Sequence, residues 1–400
     1  MNLAEQEITY MNKKAFTTRR LACAYYFACP GLTYGILTSR LPALKSQTGA
    51  DDGQIGLLLL CLGLSSLAAL LSSNALIARF GSRKVLCLSA LVMVAGACLC
   101  CLAGKPLLLG VFCIVTGFGM GLADVSMNTQ GIQLEKRWNA SCLSSMHAAY
   151  SLGGVCGSLT GAAFAAFSLA PIVQAASVLG AYTCLAPWAG RRLLKDAGNS
   201  ERKSRVRPGL RPVPLFVLLC GGMSMLAYAT EGSVAEWGSL LLHESRGASE
   251  QVSALVFAMF SLAMVSCRLF GDRLRFLFGD FCLVLAGSLL AFCGLAAVLL
   301  SPAPFVCLIG YTFMGIGVSP IVPILFSRAG SHPGVSPREA SAVVAILSYS
   351  GLLFFPPFLG FLAQREGLPR ALLTVLAACA LLAAGSFALR KGKGRGGSPR

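Results

Sequence analysis

Two acidic stretches and one histidine interrupt runs of sequence that are otherwise apolar. Asp124 lies in GFGMGLADVSMNTQGIQLEKR (117–137), where Gly117, Gly121, Asp124 and Asn128 follow at intervals of 4, 3 and 4 residues, the periodicity of one helical face. The glycines let a neighbouring helix approach the backbone, and the acid is then expected to face that neighbour or an aqueous cavity, not lipid. A charge at mid-bilayer costs roughly 2.5–3.5 kcal/mol on insertion scales, so such acids mark ion or solute pathways. The plain alternative is a structural acid paired with a basic or hydroxyl group of the next helix. A carboxylate whose surroundings change in polarity can take up and release a proton. Asn128, one turn on, can hydrogen-bond a solute hydroxyl or the protonated acid. His147 shares a face with Ser151, Gly154 and Ser158; it is a relay partner for Asp124 or, as a neutral imidazole, an interhelical hydrogen-bonding group.

The second acidic stretch brings Tyr228, Glu231, Glu236 and Trp237 together. Carboxylates accept hydroxyl hydrogen bonds while aromatic faces pack on C–H surfaces, a combination that suits sugars and other hydroxylated solutes and equally an organic cation. Glu231 precedes Gly232 and is expected where a helix loosens around a cavity, whereas Glu236 and Trp237 fit either that cavity or an interfacial anchor. Arg40, in TSRLPALK, can pair with one of these acids across an outer gate or extend its guanidinium to the head groups.

Helices that cross a bilayer must position these residues. The 400 residues are 56% hydrophobic and 12% charged, with a mean hydropathy of +0.71. The apolar runs reach the roughly 20 residues that a crossing needs. Twelve spans are expected, near 21–43, 53–78, 85–104, 106–133, 141–167, 169–190, 213–242, 249–271, 279–301, 303–327, 337–362 and 368–389. The short alternating segments of a β-barrel are absent, so the fold class is an all-α polytopic membrane protein. Of 33 Lys and Arg, only Arg40, Lys45, Lys105, Arg246, Arg365 and Arg370 fall on one side of this topology. The positive-inside rule therefore puts both termini and the central loop in the cytoplasm of a multi-pass inner-membrane protein. The +17 net charge is a topology signal and not a nucleic-acid footprint. Basic loops of this kind can also meet anionic lipid head groups.

Most of the 17 cysteines lie inside apolar runs, where a thiol behaves as a small hydrophobe; Cys98 and Cys101 have CxxC spacing but no His or acid beside them. No disulfide, metal or cofactor is expected. No GxxxxGK[ST] loop occurs, and no nucleophile stands with a base, which argues against an ATP-driven pump and against an enzyme.

One shift of 198 residues superposes Gly49 on Gly247, Gly81 on Gly279, Gly117 on Gly315, Gly119 on Gly317 and Gly153 on Gly351. Two pseudo-symmetric six-helix halves follow, at 1–190 and 213–390, with a basic linker at 191–212 and a basic tail at 391–400. Six plus six spans with a basic central loop resemble the major facilitator superfamily over essentially the whole chain. In that family the halves are parallel repeats and the solute binds near mid-membrane. The loop NALIARFGSRKV (74–85) resembles the family's cytoplasmic gate motif through Arg79, Gly81, Arg83 and Lys84, with Ala78 where the motif has an acid. ADVSMN (123–128), SSMHAAYSLGG (144–154) and EGSVAEW (231–237) resemble the fucose-permease-related branch. The resemblance implies secondary active transport of a small hydroxylated solute by proton symport, with Asp124 carrying the proton and Asn128 close by. The expected partners are the solute, protons and the bilayer, and the expected working unit is a monomer. Proton-driven efflux of drugs or metabolites is the competing expectation, and a non-transporting membrane sensor is a third.

Overall fold

The computed structural model describes residues 3–138, 142–195, 213–335 and 337–390, with side chains from residue 14 onward except at 144, 272, 337, 338, 341 and 342. Most of the expected linker (196–212) and the expected tail (391–400) lie outside the described residues. Among the described residues there are helices and no strands, as a chain that must satisfy its backbone without water requires.

The crossing helices are α1 (Leu3–Ser39), α2 (Asp52–Phe80), α3 (Ser82–Leu102), α4 (Pro106–Trp138), α5 (Leu143–Ala166) and α6 (Pro171–Arg192), then α7 (Leu215–Leu240). Helix Glu250–Leu300 breaks at Gly279 into α8 (250–278) and α9 (280–300), and α10 (Pro304–Gly330), α11 (Pro337–Glu366) and α12 (Leu368–Leu389) complete the set. Ten of these helices are long and apolar enough to cross a membrane. The other two, α1 and α5, are diluted by Tyr25, Tyr26, Thr33, Tyr34 and Thr38 in one and by His147, Tyr150, Ser151, Ser158 and Thr160 in the other.

One boundary departs widely from expectation. Helix α1 starts at Leu3 instead of near residue 21, because nothing before Pro30 breaks it. Helix α10 pauses at Ser319 and Pro320, where the SPIVP prolines withdraw backbone donors. Pro356 and Pro357 do not interrupt α11, which runs through both.

The packing gathers into two units, Met1–Val206 with Ala248–Ala258 and Arg207–Gly247 with Met259–Arg400. The first turns of α8 thus belong with the first unit.

Glycine explains both the repeat and the close packing. Gly49 and Gly247 adopt φ of 68° and 64°, and Gly81 and Gly279 adopt 82° and 75°, a region that side chains avoid. A Cβ on Gly117 would lie 2.1 Å from the Leu62 carbonyl oxygen, and one on Gly315 would lie 2.4 Å from the Phe260 carbonyl oxygen, so both ends of these two contacts are 198 residues apart. Helices α1 and α5 meet backbone to backbone: a Cβ on Gly31 would lie 1.9 Å from the Tyr150 carbonyl oxygen, one on Gly35 2.3 Å from that of Gly154, and one on Gly153 2.3 Å from that of Ala28. On its other side α1 is stapled to α6. The Tyr25 and Tyr182 rings stack at 4.2 Å, and each hydroxyl donates to the other residue's carbonyl oxygen.

Candidate functional site

In the first unit the site is assembled by α4 and α5. Gly117 and Gly121 press α4 onto α2, and Gly119 presses it onto α3 near Met93. The helix that meets Asp124 is a different one, α5, whose His147 lies within electrostatic reach of the carboxylate. Asp124 and Asn128 are both half-buried. The Asn128 amide donates to the Asp124 carbonyl oxygen at 2.8 Å and to its Oδ1 at 3.2 Å, which holds one carboxylate oxygen in place. The His147 ring sits edge-on to Phe27 of α1, centroids 5.2 Å apart, and its residue is exposed. Acid, amide and imidazole therefore come together, as their sequence positions suggested.

The second unit builds a different set. Tyr228 and Glu231 lie on α7, and the guanidinium of Arg268, on α8, is within electrostatic reach of both. Tyr228 stacks on Tyr349 of α11 at 6.1 Å and 12°. Arg268, which the sequence analysis did not single out, answers Glu231, and a cation on a crossing helix is best stabilised where an acid can do so. Glu236 and Trp237 are 8% and 0% exposed, so neither is an interfacial anchor. Glu236 lines a narrow cleft with Tyr228, Gly232, Ser233, Leu352 and Phe355.

Arg40 reaches neither head groups nor an α7 acid. It is 1% exposed, and its Nε meets Glu250 Oε1 at 2.6 Å while Nη2 donates to the Leu169 carbonyl oxygen at 2.6 Å. A guanidinium this deeply buried needs a carboxylate, and Glu250, in the first turn of α8, supplies it. Nearby, Ser158 Oγ donates to the Ala254 carbonyl oxygen at 2.5 Å and accepts from the Ala258 amide at 3.1 Å.

The gate-motif residues surround the α2–α3 turn. Gly81 forms it, Arg79 lies over the Phe80 ring at 5.2 Å, and Arg83 and Lys84 open α3. The side chain that ties this turn down is one that motif reading passed over: buried Ser82 accepts from Gln130 Nε2 at 2.6 Å. The same nitrogen donates to the Leu194 carbonyl oxygen at 2.9 Å, and the Leu194 amide donates back to Gln130 Oε1 at 2.9 Å. In the second unit Asp280 meets Arg275 Nε at 2.6 Å and Arg328 Nε at 3.7 Å, and Arg328 Nη2 donates to the Leu389 carbonyl oxygen at 3.1 Å. Arg328 is therefore a partner of Asp280. The 17 cysteines are free thiols, and among the described residues no group of three or more His, Cys, Asp and Glu could hold a metal ion.

Comparison with known proteins agrees with this architecture. The model of the Major Facilitator Superfamily matches residues 25–334. An uncharacterized MFS-type transporter of Yersinia pestis is 30% identical over 346 residues, covering 86% of this chain and 88% of its own length. The fold resembles the crystal structures of the nucleoside transporter NupG (a mutant form, TM-score 0.77, 11% identity, 93% of this chain and 100% of that one) and of a D-xylose-proton symporter (TM-score 0.74, 12% identity, 94% and 97%). Crossing helices in two repeated sets, polar residues within them, and a family match over most of the length converge: the chain belongs to the major facilitator superfamily, a family of multi-pass membrane transporters.

Proposed function

We propose that the protein is a secondary active transporter that moves a small hydroxylated, sugar-like solute by alternating access in symport with a proton. Residues 1–190 and 213–390 act as the two halves of the cycle, and 191–212 with both termini face the cytoplasm of an inner membrane, as the distribution of Lys and Arg supports. The observation that carries this reading is the half-buried Asp124 carboxylate, bonded to Asn128 and within electrostatic reach of His147. A proton on Asp124 neutralises a charge that is costly on a crossing helix, so its affinity changes when water gains or loses access, which is the requirement for coupling.

Tyr228, Glu231 and Glu236 supply acceptors and an aromatic face for the solute and Asn128 a further hydrogen-bonding group, whereas Trp237, fully buried, offers the solute no face. Arg268 adds a cation that the sequence reading left out, and Arg40 contributes by holding Glu250 instead of touching the solute. The resemblance of ADVSMN, SSMHAAYSLGG and EGSVAEW to the fucose-permease-related branch supports a sugar-like solute, and the D-xylose-proton symporter shows that this fold accommodates one.

The test is Asp124→Asn in proteoliposomes. Proton-driven accumulation is expected to fall to background while exchange of internal for external solute persists. Accumulation equal to that of the parent removes Asp124 from the coupling role. Proton movement in the same direction as an added sugar identifies symport; proton movement opposite to that of a drug identifies efflux by antiport instead.

A further inference from the structure

At the end of the first unit where α4 and α6 terminate, three arginines converge from three helices. Arg19 of α1 places its guanidinium carbon 5.9 Å from the Trp138 ring, and Arg137 places its own 5.2 Å from the same ring, which Phe16 also touches at 5.8 Å. Arg19 Nη1 donates to the Arg192 carbonyl oxygen at 3.5 Å, and Arg192 lies 4.4 Å over Trp188. Arg19 thus links two stacks at this end of the unit, Arg137 on Trp138 and, through the Arg192 backbone, Arg192 on Trp188. Among the described residues none of these guanidiniums has a carboxylate within ion-pair distance. The acid at this end of α4, Glu135, accepts the Cys142 and Leu143 amides at 2.6 and 2.8 Å.

Like charges held this close repel, and stacking on aromatic faces offsets only part of that. The corresponding end of the second unit has its counter-charge built in, since Asp280 answers Arg275 and Arg328. The first unit has none among its described residues, which leaves these guanidiniums open to an anion of the adjoining membrane. Tryptophan and arginine at helix ends lie at head-group depth, and a guanidinium grips a phosphodiester through two parallel hydrogen bonds.

We propose that Arg19, Arg137 and Arg192, framed by Trp138 and Trp188, form a binding site for the head group of an anionic phospholipid in the adjoining leaflet. The phosphate completes the charge balance of these arginines, and the indoles border the glycerol and upper acyl chains.

Native mass spectrometry of the full chain in detergent, titrated with phosphatidylglycerol, phosphatidylcholine or inorganic phosphate, tests the site. Phosphatidylglycerol is expected to bind more tightly than phosphatidylcholine. Each charge removed is expected to weaken it about five-fold, so Arg137→Gln loses about five-fold and the Arg19→Gln/Arg192→Gln double variant roughly 25-fold. Arg370→Gln, whose arginine pairs with Glu366 in the second unit, is expected to bind like the parent. If the double variant does not purify as a single species, Arg137→Gln alone decides. Equal binding of the two lipids, unchanged phosphatidylglycerol affinity in the variants, or displacement of the lipid by millimolar inorganic phosphate each overturns the proposal.

Discussion

The turn at Gly81 and the turn at Gly279 stand 198 residues apart and are wired alike. In each, a glycine with positive φ is followed by a residue that accepts from a side chain on the fourth helix of its unit, and that side chain also caps the end of the sixth. The chemistry differs. Ser82, Gln130 and the Leu194 carbonyl oxygen make a neutral node; Asp280, Arg328 and the Leu389 carbonyl oxygen make a charged one. Ser82 and Asp280 share a repeat position, as do Gln130 and Arg328. What persists between the two halves is therefore the pattern of connection, in which a donor on one helix satisfies both a turn and a helix end. The identity of the donor is free provided that its acceptor changes with it.

This comparison can be broken in three places. The largest effect is expected from Gly81→Ala or Gly279→Ala, since φ near 80° with extended ψ is almost closed to side chains; each should cost about 1–3 kcal/mol. Similar losses of apparent Tm for the two variants sharpen the equivalence, and a loss in only one refutes it. Asp280→Asn comes next, expected to cost about 2 kcal/mol because Arg275 and Arg328 lose their carboxylate while remaining partly buried. Its penalty should shrink as salt rises, and a penalty constant from low to high salt argues against an ionic node. Ser82→Ala should be mildest, about 1 kcal/mol and insensitive to salt, because Gln130 keeps its two bonds to Leu194.

The scaffold was legible because glycine reports backbone demands locally. A positive φ or a carbonyl oxygen at 2.1 Å from where a Cβ would stand admits no other residue without displacement, and the demand recurs wherever the fold repeats. Asp124, Asn128 and His147 were legible for a related reason: polar groups stand out in apolar runs, and the first two are one turn apart. The pairings that went unread all join distant helices. Arg40 finds Glu250, Arg268 faces Glu231, and Gln130 finds Ser82, each across a gap that local periodicity does not bridge. Trp237 stayed open between a cavity and an interfacial anchor because a tryptophan after an acid near a helix end fits both, whereas its burial is set by packing that local sequence does not encode. The polar residues also break the repeat that the glycines keep. Asp124 and His147 correspond to Val322 and Ala345, and Glu231 and Arg268 to Thr33 and Leu70. Duplication thus accounts for the helices but not for the site.

The paired hydroxyl-to-carbonyl bonds of Tyr25 and Tyr182 have a mechanical corollary. A smooth rod can spin about its long axis at little expense, and a contact made only of glycine resists sideways separation better than it resists such spinning. Two reciprocal tethers from a neighbour remove that freedom, so the azimuth of α1 is set from behind. Phe27, two residues on and turned by about 200° along the helix, then points steadily at the imidazole it borders. Loosening either phenol would let the aim of that ring wander while every crossing stayed in place.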